Sequence, residues 1–265
     1  HIITGLKRTE DGIFRHGVRA WTSQAVHAGD VIETHLVETE PSDGILPRPV
    51  PFSVVYEDDD ILVVDKPADT PIHPSIGNYE NTLANGIAWY FEQKGEPFVY
   101  RCINRLDRDT TGLIVLAKHA LSAAVLSQAM RSREIHRTYQ AFALGETAAS
   151  GTIDAPIARL NGSLIQRTVD FASGERSVTH YRTLAHCSVF SHLELNLETG
   201  RTHQIRVHMA YIGHPLLGDT LYNKTPGTFP RQALHSASLS FVHPITGEPL
   251  TFHAPLPEDM QNLLT

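Results

Sequence analysis

Cysteine is scarce in this chain of 265 residues, which contains only Cys102 and Cys187. A structural zinc site needs Cys or His ligands at short, regular spacings, and two isolated cysteines do not provide them. A chain of this length can bury enough apolar surface to fold without a disulfide. The two unpaired cysteines are typical of a reducing compartment, so we expect a cytoplasmic protein.

Long apolar runs are also absent. No stretch of 18 consecutive apolar residues occurs, so the sequence predicts no transmembrane helix. The opening residues, His1–Lys7, lack the long apolar core and the cleavage site of a secretory signal peptide. With 41% hydrophobic residues, the composition favours a soluble globular protein with one large domain and a small attachment.

Positive charge is in short supply overall, because the formal net charge is −7. Taken as a single number, this charge argues against a nucleic-acid partner. The distribution is uneven, however: residues 101–140 contain 7 Lys/Arg and 3 Asp/Glu, whereas residues 1–100 contain 7 and 16. A basic region inside an acidic protein can still bind a polyanion locally.

The chain divides into three parts. In residues 1–40, short alternating segments with Gly turns predict a small β-rich module. Its 4 basic and 6 acidic side chains favour a degenerate packing module over an RNA clamp. Residues 41–51 contain four prolines and predict an extended linker, which leaves 52–265 as the main domain.

Several elements of the main domain can be placed from periodicity and turn residues. The runs 53–56 and 61–65 predict a hairpin whose acidic turn, Glu57–Asp60, is most simply solvated, with a metal site left open. A helix is expected from Asn81, as its N-cap, to about residue 91. A second helix is expected over about 119–132, with Leu121, Ala124, Val125 and Ala129 on one face. A third helix is expected over about 204–212, capped by Thr202. A hairpin over 234–241 and 250–255 follows.

The segment from Arg101 to Gly112 concentrates three arginines and two carboxylates before the apolar run 113–117. Asp109-Thr-Thr-Gly112 has ordinary turn chemistry. Asp107 lies between Arg105 and Arg108, so it should stay ionised. From the residues alone, Asp107 is either part of a structural ion pair or a catalytic carboxylate.

The segment Asn104–Lys118 resembles the signature HRLDxxTSGxxxxAK of the RluA-type pseudouridine synthases. The family's catalytic Asp matches Asp107, while Asn104 stands in place of the usual His and Thr111 in place of the common Ser. A second element, Thr199-Gly-Arg-Thr-His-Gln-Ile-Arg-Val-His208, is similar to the family's TGRTHQIRVH. The resemblance covers about residues 52–258, and the end of the N-terminal module, Ala28–Ile32, partly resembles the RNA-binding module of many family members.

The resemblance implies roles for individual residues. Arg206 would pair with Asp107, and Tyr139, in the family's Lys/Arg-x-Tyr position, would stack on the target base. The same resemblance implies a set of substrate-binding side chains: Arg105, Arg108, Arg137, Arg201 and His203. His203 and His208 are five residues apart and would not share a helix face, so a metal site there is not expected.

The fold implied is an α+β pseudouridine synthase fold, a mixed and mostly antiparallel sheet with flanking helices and a central cleft. The activity implied is isomerisation of uridine in ribosomal or transfer RNA to pseudouridine, with no cofactor or metal and with a monomer sufficing. Two alternatives stay open: a glycosidase that uses Asp107 with Asp109, and a catalytically inactive RNA-binding protein of the same fold. An inactive module predicts that Asp107→Ala leaves function unchanged.

Overall fold

The computed structural model describes Leu6 and residues 12–35, 41–187 and 189–264. The elements in chain order are β1 (Ile13–Arg15), β2 (Val18–Arg19), β3 (Ile32–Thr34), β4 (Ser53–Glu57), β5 (Ile61–Lys66), α1 (Leu83–Lys94), β6 (Thr111–Ala117), α2 (Ala120–Ser132), β7 (His136–Leu144), β8 (Ser150–Asp154), β9 (Ile157–Arg159), β10 (Arg167–Val169), β11 (Val178–His186), β12 (Phe190–Leu197), α3 (Gln204–Tyr211), β13 (Leu234–Val242), β14 (Pro249–His253) and α4 (Glu258–Gln261). None of the helices in these ranges has the length and apolar character needed to cross a bilayer.

A nine-stranded mixed sheet forms the centre of the molecule. Its strand order is β4-β5-β6-β13-β7-β12-β11-β8, with β14 paired to β13. Among the described strands, only β6 and β13 pair in parallel, and all other pairs are antiparallel. The expected mixed, mostly antiparallel sheet with flanking helices is therefore confirmed, as are the hairpins β4–β5 and β13–β14.

Strand β6 is covered on both faces, which explains its uninterrupted apolar sequence. Ile114 and Leu116 point to one face, where α1 contributes Leu83, Ile87 and Phe91 to the core. Leu113 and Val115 point to the other face, where α2 contributes Leu126. All seven residues of β6 are buried. Because successive strand side chains alternate between faces, a strand between two layers must be apolar at every position.

Helices α2 and α3 agree with the sequence in extent, whereas α1 runs past the expected end to Lys94 and α4 was not expected. Two further details differ. The N-cap of α1 is Thr82 rather than Asn81, because Asn85, three residues later, completes a reciprocal capping box with it. On α2 the expected apolar face is wrong, since Leu121 and Val125 are exposed while Ser122 and Leu126 are buried. Alanines present little apolar area, and the larger Leu126 decides which face docks.

The acidic turn between β4 and β5 is more than a solvated loop. Burial alone would raise the pKa of Glu57, but hydrogen bonds from Lys94, Tyr90 and Lys118 lower it to about 2. Asp58 accepts the backbone N–H groups that close the turn. The turn therefore ties α1 and the residue after β6 to the sheet edge.

The N-terminal strands form a separate antiparallel sheet of order β2-β1-β3, which confirms the small β-rich element. The ends of the predicted module, residues 1–5, 7–11 and 36–40, lie outside the described residues, and its boundaries stay a prediction. The proline-rich segment 41–51 has no regular secondary structure but is bound to α1: Asn85 Nδ2 donates to Leu46 O, and Arg48 N donates to Asn85 O.

Gly112, at the start of β6, provides the sharpest test of this packing. Its φ is +109°, and a Cβ there would lie 2.3 Å from the carbonyl oxygen of Ser236 on β13. We expect Gly112→Ala to lower the free energy of unfolding by more than about 3 kcal/mol, through backbone strain and a forced shift of β13. Urea denaturation measures this loss.

Gly162→Ala is the matched control. Gly162 also has a positive φ, +79°, but a Cβ there has no atom within 4 Å. This variant should therefore lose only about 1 kcal/mol, the strain of the left-handed backbone. Equal losses at the two glycines would contradict the close approach of β6 and β13.

Candidate active site

Asp107 lies in the loop that enters β6. Its carbonyl oxygen accepts a hydrogen bond from Thr110 N at 3.1 Å, which closes the turn. Leu106, the preceding residue, is buried, whereas the side chain of Asp107 is 24% exposed. The buried strand thus fixes the loop, and the loop presents a carboxylate at the edge of a cavity.

Arg206, on α3, contacts this carboxylate directly. Its Nη1 lies 3.0 Å from Asp107 Oδ2. The rest of its guanidinium bonds Asp219 in a bidentate pair, Nε–Oδ2 at 2.7 Å and Nη2–Oδ1 at 2.8 Å. Burial alone would lower the pKa of Arg206, but the hydrogen bond to Asp219 and the charge of Asp107 raise it above its usual value. The guanidinium therefore stays charged and fixes the orientation of the Asp107 carboxylate.

Asp219 is fully buried, and the interpretation of the sequence missed it. Its Oδ1 also accepts the backbone N–H groups of Leu221 and Tyr222, at 3.0 and 3.2 Å. Gly218, with φ +67°, lets the chain pass so close to residue 231 that a Cβ would lie 1.9 Å from the carbonyl oxygen of Arg231. The sequence signal that could have indicated this residue is an Asp that follows an apolar run and Gly218. Its arginine partner could not be deduced from spacing.

His203 faces the same carboxylate from the start of α3. It is the N-cap residue, with φ +58° and no side-chain cap bond, so the expected cap by Thr202 is wrong. The Tyr222 hydroxyl accepts a hydrogen bond from Arg167 N at 2.8 Å and lies 2.8 Å from His203 Nδ1. The other ring nitrogen, Nε2, lies 3.9 Å from Asp107 Oδ2. Burial lowers the pKa of His203, although the charge of Asp107 opposes this shift.

A small cavity of about 50 Å³ connects these groups. Asp107, Arg206 and His203 line it together with Tyr139 of β7, whose side chain is buried. The remaining wall is half apolar, with Leu106, Leu197, Ile205 and Leu234, and half polar, with Arg105, Thr110, Arg201 and Gln204. The structure therefore brings together all three residues predicted to be catalytic, with apolar side chains that suit a planar ring and charge at one end.

The other predicted substrate-binding residues differ in whether they line this cavity. Arg105 is exposed and lines the cavity. Arg201 also lines it and is paired with Glu175. Arg108 instead bonds Asp69 and does not line the cavity. Arg137 lines a neighbouring groove.

Lys66 hydrogen-bonds the backbone of the loop that carries Asp107. Its ammonium is fully buried and donates to the carbonyl oxygens of Pro67 and Arg108, at 2.7 Å each. Burial lowers the pKa of Lys66 to about 7, and the charges of Asp109 and Asp107 only partly oppose this effect. The loop is therefore hydrogen-bonded to a side chain whose pKa of about 7 lets it lose its proton near neutral pH.

A cluster of Asp58, Asp60 and His243 has the composition of a metal site, and the sequence left such a site open at this turn. His243 Nδ1 accepts the backbone N–H groups of Ile245 and Thr246, so its proton is on Nε2. That Nε2–H donates to Asp58 Oδ2 at 3.0 Å. A metal needs the lone pair of this nitrogen, so the geometry is that of a hydrogen-bonded network.

Comparisons with known proteins identify the family of this chain. The family model described as RNA pseudouridylate synthase matches residues 60–211. The chain is 40% identical over 264 residues to the uncharacterized RNA pseudouridine synthase YjbO of Bacillus subtilis, covering 99% of this chain and 93% of the relative. It is 43% identical to the ribosomal large subunit pseudouridine synthase D of Vibrio cholerae, covering 89% and 76%.

A solved structure, human RNA pseudouridylate synthase domain containing 1, superposes with a TM-score of 0.65 at 26% identity, covering 82% of this chain and 86% of the human one. The chain therefore belongs to the RNA pseudouridylate synthase family and is an RNA pseudouridine synthase. The expected fold and enzyme class are confirmed. The roles of individual residues stay predictions.

Asp219→Asn tests the arginine bridge. Without the second negative charge, Arg206 loses its rigid support, so we expect pseudouridine formation to slow by about 10- to 100-fold. The free energy of unfolding should fall by about 2 to 3 kcal/mol, because a buried cation loses a charged partner. Glu57→Gln, which weakens an ion-pair network away from the cavity, should reduce stability without slowing turnover. Equal turnover in the two variants would refute the bridge.

Lys66→Met tests the buried ammonium through its pH dependence. The unfolded chain holds the Lys66 proton up to the ordinary pKa of 10.5, the folded chain only up to about 7. Deprotonation therefore favours the folded state as pH rises through this interval. Between pH 7 and 9, the stability of the wild type relative to Lys66→Met should increase by about 2 kcal/mol in urea titrations. Parallel pH profiles would show that Lys66 is not the titrating group.

Proposed function

We propose that this enzyme isomerises uridine in large-subunit ribosomal RNA and that Asp107 is its catalytic carboxylate. The observation that carries the proposal is the Asp107–Arg206 pair at the end of a cavity lined by Tyr139. The ribosomal substrate is inferred from the synthase D relatives, which are 41 to 43% identical to this chain.

The two carboxylate oxygens of Asp107 have different surroundings. Oδ2 accepts from Arg206, whereas Oδ1 has no hydrogen-bond partner among the described residues. Oδ1 is therefore the oxygen that reaches the nucleotide, either by covalent attack or by stabilising the ribose as the glycosidic bond breaks. His203 acts as a positioning residue whose Nε2 faces Oδ2 at 3.9 Å.

The reaction balances without a co-reactant. The bond between uracil N1 and the ribose anomeric carbon breaks, and a bond from C5 to that carbon forms. The C5 proton is lost and N1 gains one, so no electron pair enters or leaves. Tyr139 stacks on the detached base, and its hydroxyl assists removal of the C5 proton.

The target uridine has to leave its helix to reach the cavity. Base flipping requires unstacking, and a side chain at the mouth can occupy the vacated space. Arg105 is exposed and lines both this cavity and the groove beside it. All these groups come from one chain, so a monomer contains a complete site.

The glycosidase alternative lacks a second carboxylate in the right place. Asp109 Oδ1 accepts a hydrogen bond from Asp69 N at 3.2 Å, and Asp109 does not line the cavity that holds Asp107. Two carboxylates flanking a scissile bond must face each other across it. Asp109 is instead a neighbour on the same turn.

The substrate can be tested by complementation. An Escherichia coli K12 strain without its own synthase D would express wild type, Asp107→Asn or Asp109→Asn, and pseudouridines would be mapped in all RNA. We expect ribosomal sites lost in the deletion to return with wild type and Asp109→Asn only. If only transfer RNA sites appear, the ribosomal assignment fails while the carboxylate assignment stands.

Purified protein tests the carboxylate itself. On an RNA that the wild type modifies, Asp107→Asn should lower turnover by about 10³-fold or more, with RNA binding retained. Asp109→Asn, on the same turn, should stay within about threefold of the wild type. Activity in Asp107→Asn comparable to the wild type would refute Asp107 as the catalytic carboxylate.

A further inference from the structure

A groove of about 540 Å³ opens beside the catalytic cavity. The two share Arg105, Leu106, Asp107, Leu197 and Arg201 as lining residues. The end of α2, the start of β7 and the turn after β12 form the rest of the groove. A strand that delivers a nucleotide to Asp107 can therefore continue into this groove.

The groove is positively charged although the protein is acidic. Five arginines and two carboxylates line it: Arg105, Arg131, Arg133, Arg137 and Arg201, with Asp107 and Glu198. Glu198 is itself occupied by ion pairs with Arg133 and Arg176. The excess cationic charge faces the groove, where it favours a polyanion.

Arg137 differs from the other arginines of the groove because it has no ion pair and one of its donors is buried without a hydrogen-bond partner among the described residues. Arg133 and Arg201 have carboxylate partners, Glu198 at 3.4 Å and Glu175 at 2.5 Å, whereas Arg137 has no ion pair among the described residues. Among buried side-chain N and O atoms in the described part of the chain, Arg137 Nε alone lacks a hydrogen-bond partner. A buried donor left unsatisfied is unfavourable, and in native proteins it calls for a missing partner.

Gly200 creates the space in which this guanidinium lies. A Cβ at residue 200 would be 3.2 Å from Arg137 Nη1 and 3.4 Å from Nη2, so the guanidinium rests against the glycine backbone. A larger residue would displace the fork of donors. Nη1 and Nη2 are not among the buried unsatisfied atoms and have no hydrogen-bond partner among the described residues, so they are the donors open to an acceptor in the groove.

We propose that Arg137, seated on Gly200, binds the phosphate of a nucleotide flanking the target uridine. The inference rests on the proposed function only in taking RNA as the ligand and Asp107 as the position of the target. An arginine fork matches phosphate oxygens, and a phosphodiester is the acceptor that an RNA substrate brings to a groove continuous with Asp107. A phosphate in the groove accepts from the Nη groups, which have no partner among the described residues of the free protein.

Salt-dependent binding tests this subsite. The probe is a 12-nucleotide oligouridylate, bound at several salt concentrations to wild type, Arg137→Gln and Arg137→Lys. Loss of one phosphate contact should reduce the slope of log Kd against log salt by about 0.7 and weaken binding about 5- to 10-fold for Arg137→Gln. Arg137→Lys should keep the slope while losing part of the affinity, because the charge remains but the fork is lost.

Arg182→Gln is the matched control, since Arg182 is exposed, pairs with Glu194 and lines neither the groove nor the cavity. Its salt slope should equal that of the wild type. Thermal unfolding adds a second readout: Arg137→Gln should melt at or above the wild-type temperature, since it removes an unsatisfied donor. An unchanged slope with a lower melting temperature would make Arg137 a structural residue and overturn the subsite. Equal slope losses in Arg137→Gln and Arg182→Gln would overturn it as well.

These outcomes are separate from those that test the proposed function. The oligouridylate reports phosphate binding whether or not ribosomal RNA is modified. If the wild type modifies no ribosomal site yet Arg137→Gln loses the slope, the substrate assignment fails and the subsite stands. If ribosomal sites are modified and the slope is unchanged, the subsite alone fails.

Discussion

The guanidinium of Arg206, held between Asp107 and Asp219, is the interaction on which the site depends. Asp219 is fully buried and accepts both the bidentate arginine and two backbone N–H groups, so its position is fixed by the loop that carries it. Arg206 transmits that position to Asp107, whose second oxygen stays free. One cation shared by two carboxylates leaves the cluster with a net negative charge, which a nucleophile or an electrostatic stabiliser requires.

The fold brings these groups together from distant parts of the chain. Asp107 enters β6, and Arg206 lies on α3, 99 residues later. Strand β13 joins the two halves of the sheet, because it pairs with β6 in parallel and with β7 antiparallel. Tyr139 on β7 is thereby placed two strand pairings away from β6, through β13, and close to the loop of Asp107. The approach of β13 to β6 demands a residue without Cβ at Gly112, so the glycine of the signature turn serves sheet assembly rather than chemistry.

The sequence anticipated the parts of this arrangement that are local or carried by a motif. The buried strand after Gly112, the extents of α2 and α3 and both hairpins follow from periodicity and turn residues. The pairing of Arg206 with Asp107 came from the resemblance. The role of Asp219 did not, because its arginine partner lies on another element and the path of the loop that carries Asp219 cannot be deduced from spacing. The predicted apolar face of α2 was wrong for a related reason: tertiary packing, which periodicity does not reveal, buries Leu126 and leaves Leu121 exposed.

Charge distribution connects the site to substrate choice. A net charge of −7 is unfavourable for general RNA binding, whereas the groove beside Asp107 concentrates five arginines. Two of these arginines are paired, Arg133 with Glu198 and Arg201 with Glu175, which lowers their attraction for an arbitrary polyanion. Arg137 and Arg105 line the groove without an ion pair among the described residues. In the proposed phosphate subsite, such unpaired cations on an acidic protein would favour discrimination among RNAs over general RNA affinity.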